Sequence, residues 1–274
     1  MDVTFMETVQ WKKFLIPYEQ AVRELKVKFE SIGHEYHMLN QYSPIELVTG
    51  RVKTIASILE KARKKGISLS EIQEEIDDIA GIRIICQFVE DIDKVVGLLR
   101  ERDGKDLWIV EEKDYITHTK SSGYRSYHMI IKYPVYTAQG EKKILAEIQI
   151  RTLAMNFWAT IEHSLRYKYN QNMPIEIHER LLRAAEAAFK LDQEMSTIQS
   201  EILEAQELFQ LRSNIVADII KNIENLQLIG NLSEVADIQQ QFLKLWEEGD
   251  LEKLKKFNQQ LDMIVQIYDV QSLS

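Results

Sequence analysis

The feature that most constrains the fold is a short segment in which polar and apolar residues alternate strictly. In residues 147–151, Glu147, Gln149 and Arg151 alternate with Ile148 and Ile150. Successive side chains of a β-strand point to opposite faces, so the three polar groups share one face and the two isoleucines the other. The pattern predicts a strand whose polar face, with an acid and a base, suits holding a nucleotide and a metal ion.

An aromatic loop that contains a glycine precedes this strand. Residues 122–128 place Gly123, two tyrosines, an arginine and His128 at the start of a strand-like run. Tyr124 follows the glycine, where the chain can turn sharply, and its ring can either stack on a purine or close an edge of the core. His128 can either contact a phosphate or form its hydrogen bonds within the sheet. These alternatives stay open at the level of sequence.

Helical periodicity marks the N-terminal part of the chain. Apolar residues recur at helical spacing over residues 11–32. A second helix is predicted to begin at Ser43, with Glu46 completing a capping box, and to end at Gly66. The same capping pattern from Ser68 to Glu71 predicts a short third helix.

Strands and helices then alternate. Strand patterns cover residues 82–88, 107–110, 127–136 and 143–151, with a turn at 139–140 between the last two, and a helix is predicted over 91–99. Helical patterning resumes at residue 152 and continues to 209, apart from a break at 170–174. We therefore predict an α+β fold, a mixed β-sheet flanked by helices, for a domain that covers residues 8–209.

Residues 211–274 have a different character. They carry three apolar stripes at helical spacing, separated near Gly230 and Gly249, and more acidic than basic side chains. No pattern there is typical of a catalytic site. We interpret this segment as a C-terminal helical extension that serves interaction or stability.

Charge is distributed unevenly along the chain. The net charge of −9 opposes generic nucleic-acid binding, yet residues 43–65 hold six basic residues against two acids. This local excess is typical either of a pocket for a specific polyanion or of a solvated basic helix face. Lys53, Lys61 and Lys64 fall within about 80° of arc on a regular helix, whereas Arg51 lies about 160° from Lys53.

Several features predict a cytoplasmic location and no membrane segment. No apolar run reaches the roughly 18–20 residues that a membrane span needs. The N-terminal residues are acidic and lack a signal-peptide pattern. The single cysteine, Cys86, lies in an apolar strand-like run and cannot form an internal disulfide, so we expect a buried thiol.

Two carboxylates are candidate metal ligands. Asp78 directly precedes the strand predicted at 82–88, and Glu147 lies on the alternating strand. Mg²⁺ prefers a few carboxylate oxygens together with substrate phosphates, which such a pair can provide. An aspartate before a strand can also serve only as a turn or helix cap, so spacing alone leaves both roles open.

Six motifs, in order along the chain, resemble the small alarmone synthetases, the stand-alone synthetases of the RelA/SpoT family, and specifically the RelQ type. These motifs are residues 48–53, 57–63, 78–83, 122–128, 147–152 and 156–163. The resemblance covers about residues 8–209. It implies a nucleotidyltransferase-like sheet, a homotetramer, and an enzyme that moves the β,γ-diphosphate of ATP to the ribose 3′-hydroxyl of GDP or GTP, with release of AMP.

The resemblance also implies roles for individual residues. Arg51 and Arg83 would sandwich the adenine, and Asp78 and Glu147 would bind Mg²⁺, with Glu147 also taking the 3′-hydroxyl proton. The residues implied to hold the ATP phosphates are Lys53, Lys61, Arg63 and Lys64. Those implied to hold GDP or GTP are Lys113, Lys120, Tyr124 (by stacking on guanine), His128, Gln149 and Asn156. An allosteric cleft for the alarmone product would include Lys28, Glu46, Leu47, Thr49 and Asn156.

The sequence also allows two other functions. The basic segment and Tyr124 could bind single-stranded RNA, either alone or beside catalysis. The chain could also be a catalytically silent scaffold that acts through its acidic extension. The pair Asp78 and Glu147 favours the enzyme over a pure RNA binder, which would not need two carboxylates.

Overall fold

A mixed five-stranded sheet forms the centre of the computed structural model, which describes the backbone of residues 3–169, 174–229 and 232–272. The strands are β1 (Leu47–Val52), β2 (Ala80–Cys86), β3 (Trp108–Asp114), β4 (Tyr127–Thr137) and β5 (Gly140–Thr152). Their order across the sheet is β1-β2-β5-β4-β3. Only the β2–β5 pair is parallel among these strands. The predicted α+β fold with a mixed sheet is confirmed.

Helices cover one face of this sheet and form the C-terminal part of the described chain. They are α1 (Val3–Met38), α2 (Ile55–Lys65), α3 (Ile72–Glu75), α4 (Val89–Arg100), α5 (Leu153–Tyr169), α6 (Ile175–Ile229), α7 (Leu232–Glu248) and α8 (Leu251–Ser272). Ile82 and Ile84 of β2 and the isoleucines of β5 share one buried core with apolar side chains of α1 and α4. The opposite face of β5, which carries Glu147, is therefore left for polar groups.

The predicted helix from Ser43 to Gly66 is wrong in its first half. Residues 47–52 form β1, which pairs antiparallel with β2, and α2 begins only at Ile55 with the Thr54 hydroxyl accepting from the Ser57 N–H. The Ser43 hydroxyl instead bonds Ile45 in a local turn. The β-branched residues of β1 gain ladder hydrogen bonds with β2, which a helix would forgo. Gly66 ends α2 in the left-handed region, at φ 70°, as predicted.

This correction changes the geometry of the basic segment. Arg51 lies within β1, and Lys53 follows it directly, so neither shares a helix with Lys61 and Lys64. The predicted row of three lysines on one helix face is therefore wrong. Arg51 and Lys53 reach the polar face of the sheet from a strand end, whereas Lys61 reaches it from α2.

By contacts within the chain, residues 1–196 and residues 197–274 form two compact units. The predicted domain limits at 209 and 211 fall inside α6, and they stay a prediction. In the second unit, isoleucines of α6 pack with Val235 of α7 and with Leu254, Phe257 and Leu261 of α8. The predicted helical stripes are thus present. Gly249 follows α7 at φ 71°, while Gly230 and residues 170–173 of the predicted breaks lie outside the described residues.

Of the helices that the structure describes, none combines the length and the apolarity that crossing a lipid bilayer requires.

Candidate active site

Strand register brings the polar residues of four strands together. Across the parallel pair, Gly81 is opposite Glu147 and Arg83 is opposite Gln149. On the other side of β5, His128 of β4 is opposite Gln149. A cavity of about 240 Å³ opens on this face. Its lining residues are Thr49, Gly50, Arg51, Asp78, Gly81, Ile82, Arg83, Glu147 and Gln149.

Two glycines allow this arrangement for different reasons. A Cβ at Gly50 would lie 2.6 Å from Val22 Cγ1, so glycine is needed there for the close approach of α1 to β1. A Cβ at Gly81 would lie 3.7 Å from Arg51 Cγ, an ordinary contact distance. The side chain of Arg51 therefore lies against Gly81, and both residues line the cavity together with Glu147.

Two lysines contact Asp78, one directly after β1 and the other in α2. Lys53 Nζ lies 2.5 Å from Asp78 Oδ2, and Lys61 Nζ lies 2.9 Å from Asp78 Oδ1. Lys61 also lies 2.9 Å from Oδ1 of the neighbouring Asp77. Burial raises the pKa of the Asp78 carboxyl, but hydrogen bonds from the two lysines outweigh burial and lower that pKa overall. Asp78 is therefore ionised at neutral pH.

Glu147 accepts hydrogen bonds on both carboxylate oxygens. His128 Nδ1 lies 2.9 Å from Oε1, and Gln149 Nε2 lies 2.7 Å from Oε2. Burial raises the pKa of the Glu147 carboxyl, and His128 and Gln149 lower it by a larger amount, so its pKa falls below the ordinary value. A carboxylate has about four acceptor positions, so this one keeps positions for a cation and a substrate proton.

The donor set fits a hard divalent ion that also binds substrate. Asp78 and Glu147 line the same cavity and interact electrostatically. In the described part of the chain, no group of three or more histidine, cysteine, aspartate or glutamate side chains is arranged to hold a metal. Two carboxylates without a complete protein cage are typical of Mg²⁺ sites that take further ligands from phosphates and water.

Two arginines share the cavity. Arg51 and Arg83 both line it, and burial together with the charge of Arg51 lowers the pKa of Arg83. Arg83 Nε also donates to Gln149 Oε1 at 3.4 Å. Planar guanidinium groups stack on aromatic rings and bind phosphate, so the pair can hold an adenine nucleotide.

An aromatic group lies beside Glu147. The Tyr124 hydroxyl is 2.8 Å from His128 Nε2, and the ammonium of Lys120 lies 4.1 Å from the ring centroid of Tyr115 and 5.1 Å from that of Tyr124. Desolvation lowers the pKa of Lys120. Gly123, at φ +83°, brings the loop against α6, where a Cβ would lie 2.6 Å from Ala185 Cβ. The turn expected at Gly123 is therefore present.

The structure does not bring every predicted residue into this cavity. Lys64 is 62% exposed in its side chain and pairs with Glu60 at 2.7 Å, and Arg63 is also exposed. Lys113 lies 2.7 Å from Glu111 and 3.8 Å from Asp77. Lys113 is therefore close to the Lys61 cluster.

The residues predicted for an allosteric cleft lie on α1, at the start of β1 and on α5. Lys28 bonds Asp106 at 2.8 Å and the Tyr133 hydroxyl at 3.2 Å, and Glu46 accepts from Gln87 at 2.7 Å. Leu47 is exposed, and Thr49 lines the cavity itself. The buried Oδ1 of Asn156 has no hydrogen-bond partner among the described residues.

Three residues of the site carried no assigned role in the sequence. Asp77 shares Lys61 with Asp78, Tyr115 holds Lys120, and Arg151 donates to Tyr124 and Gln149. The adjacent aspartates could have indicated Asp77, and the alternation of β5 places Arg151 on the polar face. No local pattern indicates Tyr115, because a loop brings it to the site.

Comparisons with known proteins identify the family and the fold. Residues 50–172 match the family model described as a region found in RelA / SpoT proteins. The chain is 58% identical over 204 residues to GTP pyrophosphokinase YjbM of Bacillus subtilis (strain 168), which covers 74% of this chain and 95% of YjbM. The small alarmone synthetase 1 of B. subtilis bound to its product pppGpp has a TM-score of 0.68 and 58% identity, covering 71% of this chain and 98% of that one. The same enzyme bound to AMPCPP has a TM-score of 0.63 and 54% identity, with the same coverage.

Proposed function

The chain belongs to the RelA/SpoT family, and we propose that it transfers the β,γ-diphosphate of ATP to the ribose 3′-hydroxyl of GDP or GTP, releasing AMP and forming (p)ppGpp. The observation that carries the proposal is the placement of two ionised carboxylates, Asp78 and Glu147, in one cavity with Arg51 and Arg83. The B. subtilis relatives, named as a GTP pyrophosphokinase and as a synthetase bound to pppGpp or AMPCPP, support it.

The donor nucleotide would bind at the β1 and β2 edge of the cavity. Arg51 and Arg83 lie close enough to repel each other, so an anionic phosphate between them would relieve that repulsion. Their planar guanidinium groups can also stack on an adenine. Lys53 and Lys61 surround Asp78, so a triphosphate near Asp78 would meet two positive charges. Arg63 and Lys64, the other cations proposed for the phosphates, extend from the exposed face of α2.

Asp78 and Glu147 are the proposed ligands of Mg²⁺. When bound, such an ion neutralises charge on the transferred phosphates. Both carboxylates are ionised, and Glu147 keeps acceptor positions that point away from His128 and Gln149. These features support the assignment of the metal to this pair.

The acceptor nucleotide would bind beside the aromatic group. Tyr124 is proposed to stack on guanine, with Lys113, Lys120, His128, Gln149 and Asn156 as further contacts. The Tyr124 hydroxyl contacts His128, and His128 in turn contacts Glu147, which supports this placement. Both ring nitrogens of His128 are already bonded within the protein, so a phosphate contact by His128 needs one of these bonds to open.

Glu147 would then accept the proton of the 3′-hydroxyl as that oxygen attacks the β-phosphorus of ATP. The bond from this phosphorus to the α,β-bridging oxygen breaks, and AMP leaves. In phosphoryl transfer, positioning and charge neutralisation supply most of the rate, and the clustered cations serve both.

A direct assay tests the proposal. The protein is mixed with Mg²⁺, γ-labelled ATP and each of GMP, GDP and GTP, and labelled guanosine polyphosphates are separated. We expect labelled product with GDP or GTP and release of AMP. An absence of labelled product with all three acceptors contradicts the proposed reaction, and product formation unchanged by Glu147→Gln contradicts the catalytic assignment.

Assembly and regulation are further parts of the proposal. We infer a homotetramer with an alarmone cleft that uses Lys28, Glu46, Leu47, Thr49 and Asn156. The exposure of Leu47 leaves its side chain available for contact with another subunit. Light scattering would give the assembly state, and synthesis measured with and without added product would reveal activation.

Binding of single-stranded RNA and a cytoplasmic location stay predictions. Lys53 and Lys61 contact aspartates, Lys64 contacts Glu60, and Lys65 donates to the Glu75 carbonyl, so the basic segment offers less free charge than its composition indicates. Anisotropy with labelled RNA at low and physiological salt tests the first prediction, because phosphate contacts weaken with salt.

A further inference from the structure

Arg151 lies at the origin of two hydrogen-bond chains that end on Glu147. It is 2% exposed on β5, and its guanidinium donates to the Tyr124 hydroxyl at 3.0 Å and to Gln149 Oε1. No carboxylate among the described residues lies within ion-pair distance of this buried cation. Ion pairing therefore does not explain the position of Arg151.

The first chain passes through Tyr124 and His128. A guanidinium can only donate, so the Tyr124 oxygen accepts from Arg151 and its single proton is free to point elsewhere. The neighbouring acceptor is His128 Nε2, at 2.8 Å. With Nε2 accepting, a neutral imidazole carries its proton on Nδ1, which then donates to Glu147 Oε1 at 2.9 Å.

The second chain passes through Gln149. Its carbonyl oxygen accepts from Arg151 and from Arg83, so its amide nitrogen faces the other way. That nitrogen donates to Glu147 Oε2 at 2.7 Å. A flipped amide would put its NH₂ group against two guanidinium donors and its oxygen against a carboxylate.

We propose that Arg151 is a positioning residue that fixes the donor direction of both chains, and so holds Glu147 with one hydrogen bond on each oxygen. This inference rests on the proposed function, in which Glu147 takes the substrate proton. It adds that the tautomer of His128 is set from behind the site by a residue that does not line the cavity, and that the same residue joins Arg83 in orienting Gln149. Partners of this kind behind catalytic or metal-binding groups typically change activity about 10–100-fold when removed.

The tautomer of His128 provides a test that does not depend on activity. Solid-state ¹⁵N spectra are recorded on histidine-labelled protein near neutral pH, and the His128 signals are assigned by their loss in His128→Asn. We expect the Nδ1–H tautomer in the wild-type protein. A neutral Nε2–H ring, or an imidazolium with protons on both nitrogens, overturns the proposal.

Variants then distinguish an effect of Arg151 on hydrogen-bond direction from an effect on packing. Arg151→Met and, independently, Tyr124→Phe should each shift His128 away from the pure Nδ1–H tautomer, so the test survives if one of them fails to fold. Arg151→Met should lower kcat by about 10–100-fold and leave the KM for ATP unchanged. Arg151→Lys should restore part of the activity, because an ammonium can still donate to one or both acceptors. An unchanged tautomer in both Arg151→Met and Tyr124→Phe overturns the proposal, as does an unchanged kcat in Arg151→Met.

Arg125 supplies a matched control. It is also a buried arginine, but it donates to Glu186 at 2.9 Å and to the Gly123 carbonyl, outside the two chains. Arg125→Met should lower thermal stability and leave the tautomer of His128 unchanged. If the wild-type protein forms no labelled guanosine polyphosphate, the proposed function fails, whereas the spectra still decide the role of Arg151.

Discussion

Gly81 and Glu147 lie opposite each other on the parallel strands β2 and β5, and a Cβ at Gly81 would be in ordinary contact with the side chain of Arg51. This pairing leaves the Glu147 carboxylate open to the cavity on the β2 side. The same register places Arg83 beside Gln149, two residue pairs further along the strands and on the same face. The pairing of a glycine with an acid on neighbouring strands therefore leaves space for the ATP that we propose binds at the β1 and β2 edge.

A larger side chain at Gly81 should block the cavity without unfolding the protein. Gly81→Val adds methyl groups near Arg51, and valine is favoured in strands, so thermal stability should be retained. We expect the KM for ATP to rise about 10–100-fold through misplacement of the nucleotide. Steady-state kinetics and a thermal melt measure the two effects. A lower melting temperature with an unchanged KM would instead assign Gly81 to packing alone.

Removal of the proposed proton acceptor should affect the chemical step. Glu147→Gln keeps the size of the side chain but cannot take the 3′-hydroxyl proton, and it weakens the proposed metal site. We expect kcat to fall about 10²–10⁴-fold in the labelled-ATP assay. The control is Glu141→Gln, an exposed position at the start of β5, which should leave kcat unchanged. Equal kcat values of the two variants would show that Glu147 is not the proton acceptor.

Two lysines of α2 should differ in how strongly their removal raises the KM for ATP. Lys61 reaches Asp77 and Asp78, whereas Lys64 pairs with Glu60 at the surface. Lys61→Met should raise the KM for ATP about 10–100-fold, as expected for the loss of one charge-assisted contact of about 1.5–3 kcal/mol. Lys64→Met should have a much smaller effect, and initial rates at varied ATP measure both. Equal effects would mean that Lys64 leaves Glu60 to reach the phosphates.

The close approach of α1 to β1 should make Gly50 sensitive to a single methyl group. In Gly50→Ala, the new Cβ would lie 2.6 Å from Val22 Cγ1 and 3.1 Å from Ile82 Cδ1. Overpacking of this kind costs about 1–3 kcal/mol of unfolding free energy, measurable by urea denaturation. Adding Val22→Ala should recover part of the loss.

Gly97 is the control for this substitution, because no atom lies within 4 Å of a Cβ at that position in α4. Gly97→Ala should stabilise the protein by about 0.5–1 kcal/mol. A similar response to alanine at Gly50 and Gly97 would contradict the packing explanation.

Asp192 of α6 should make stability depend on pH. It is buried and accepts from the Thr152 hydroxyl at 2.7 Å, and burial raises its pKa from 3.8 to about 6. The folded state therefore binds this proton more tightly than the unfolded state, so stability falls as pH rises from about 4 through about 6. Asp192→Asn keeps an oxygen that can accept from Thr152 and cannot ionise.

We expect Asp192→Asn to stabilise the protein by about 2–3 kcal/mol at pH 8 and to have little effect near pH 4. Urea unfolding at both pH values measures this difference. The exposed Asp93→Asn should change neither value. A destabilised Asp192→Asn at pH 8 would show that the ionised carboxylate is preferred in the folded protein.

How much of the site the sequence predicts depends on how local each signal is. The turn at Gly123 and the position of Asp78 before β2 follow from neighbouring residues, and the structure contains both. The helix predicted from Ser43 fails because the capping pattern is local, whereas β1 is stabilised by pairing with β2, whose partner residues lie far along the chain. Tyr115 has its role only through a contact with Lys120 that no local pattern predicts.

The alternation of β5 by itself determined which side chains face the core and which face the site, because a strand's period of two is a property of the backbone. The order of the motifs along the chain likewise indicated the family. Only the tertiary structure decided that Arg51 reaches the cavity from a strand, that two lysines surround Asp78, and that Arg151 directs hydrogen bonds toward Glu147. Those relations depend on strand register and on side chains distant in sequence, and hydrogen-bond direction is set only once the donors and acceptors have been brought together.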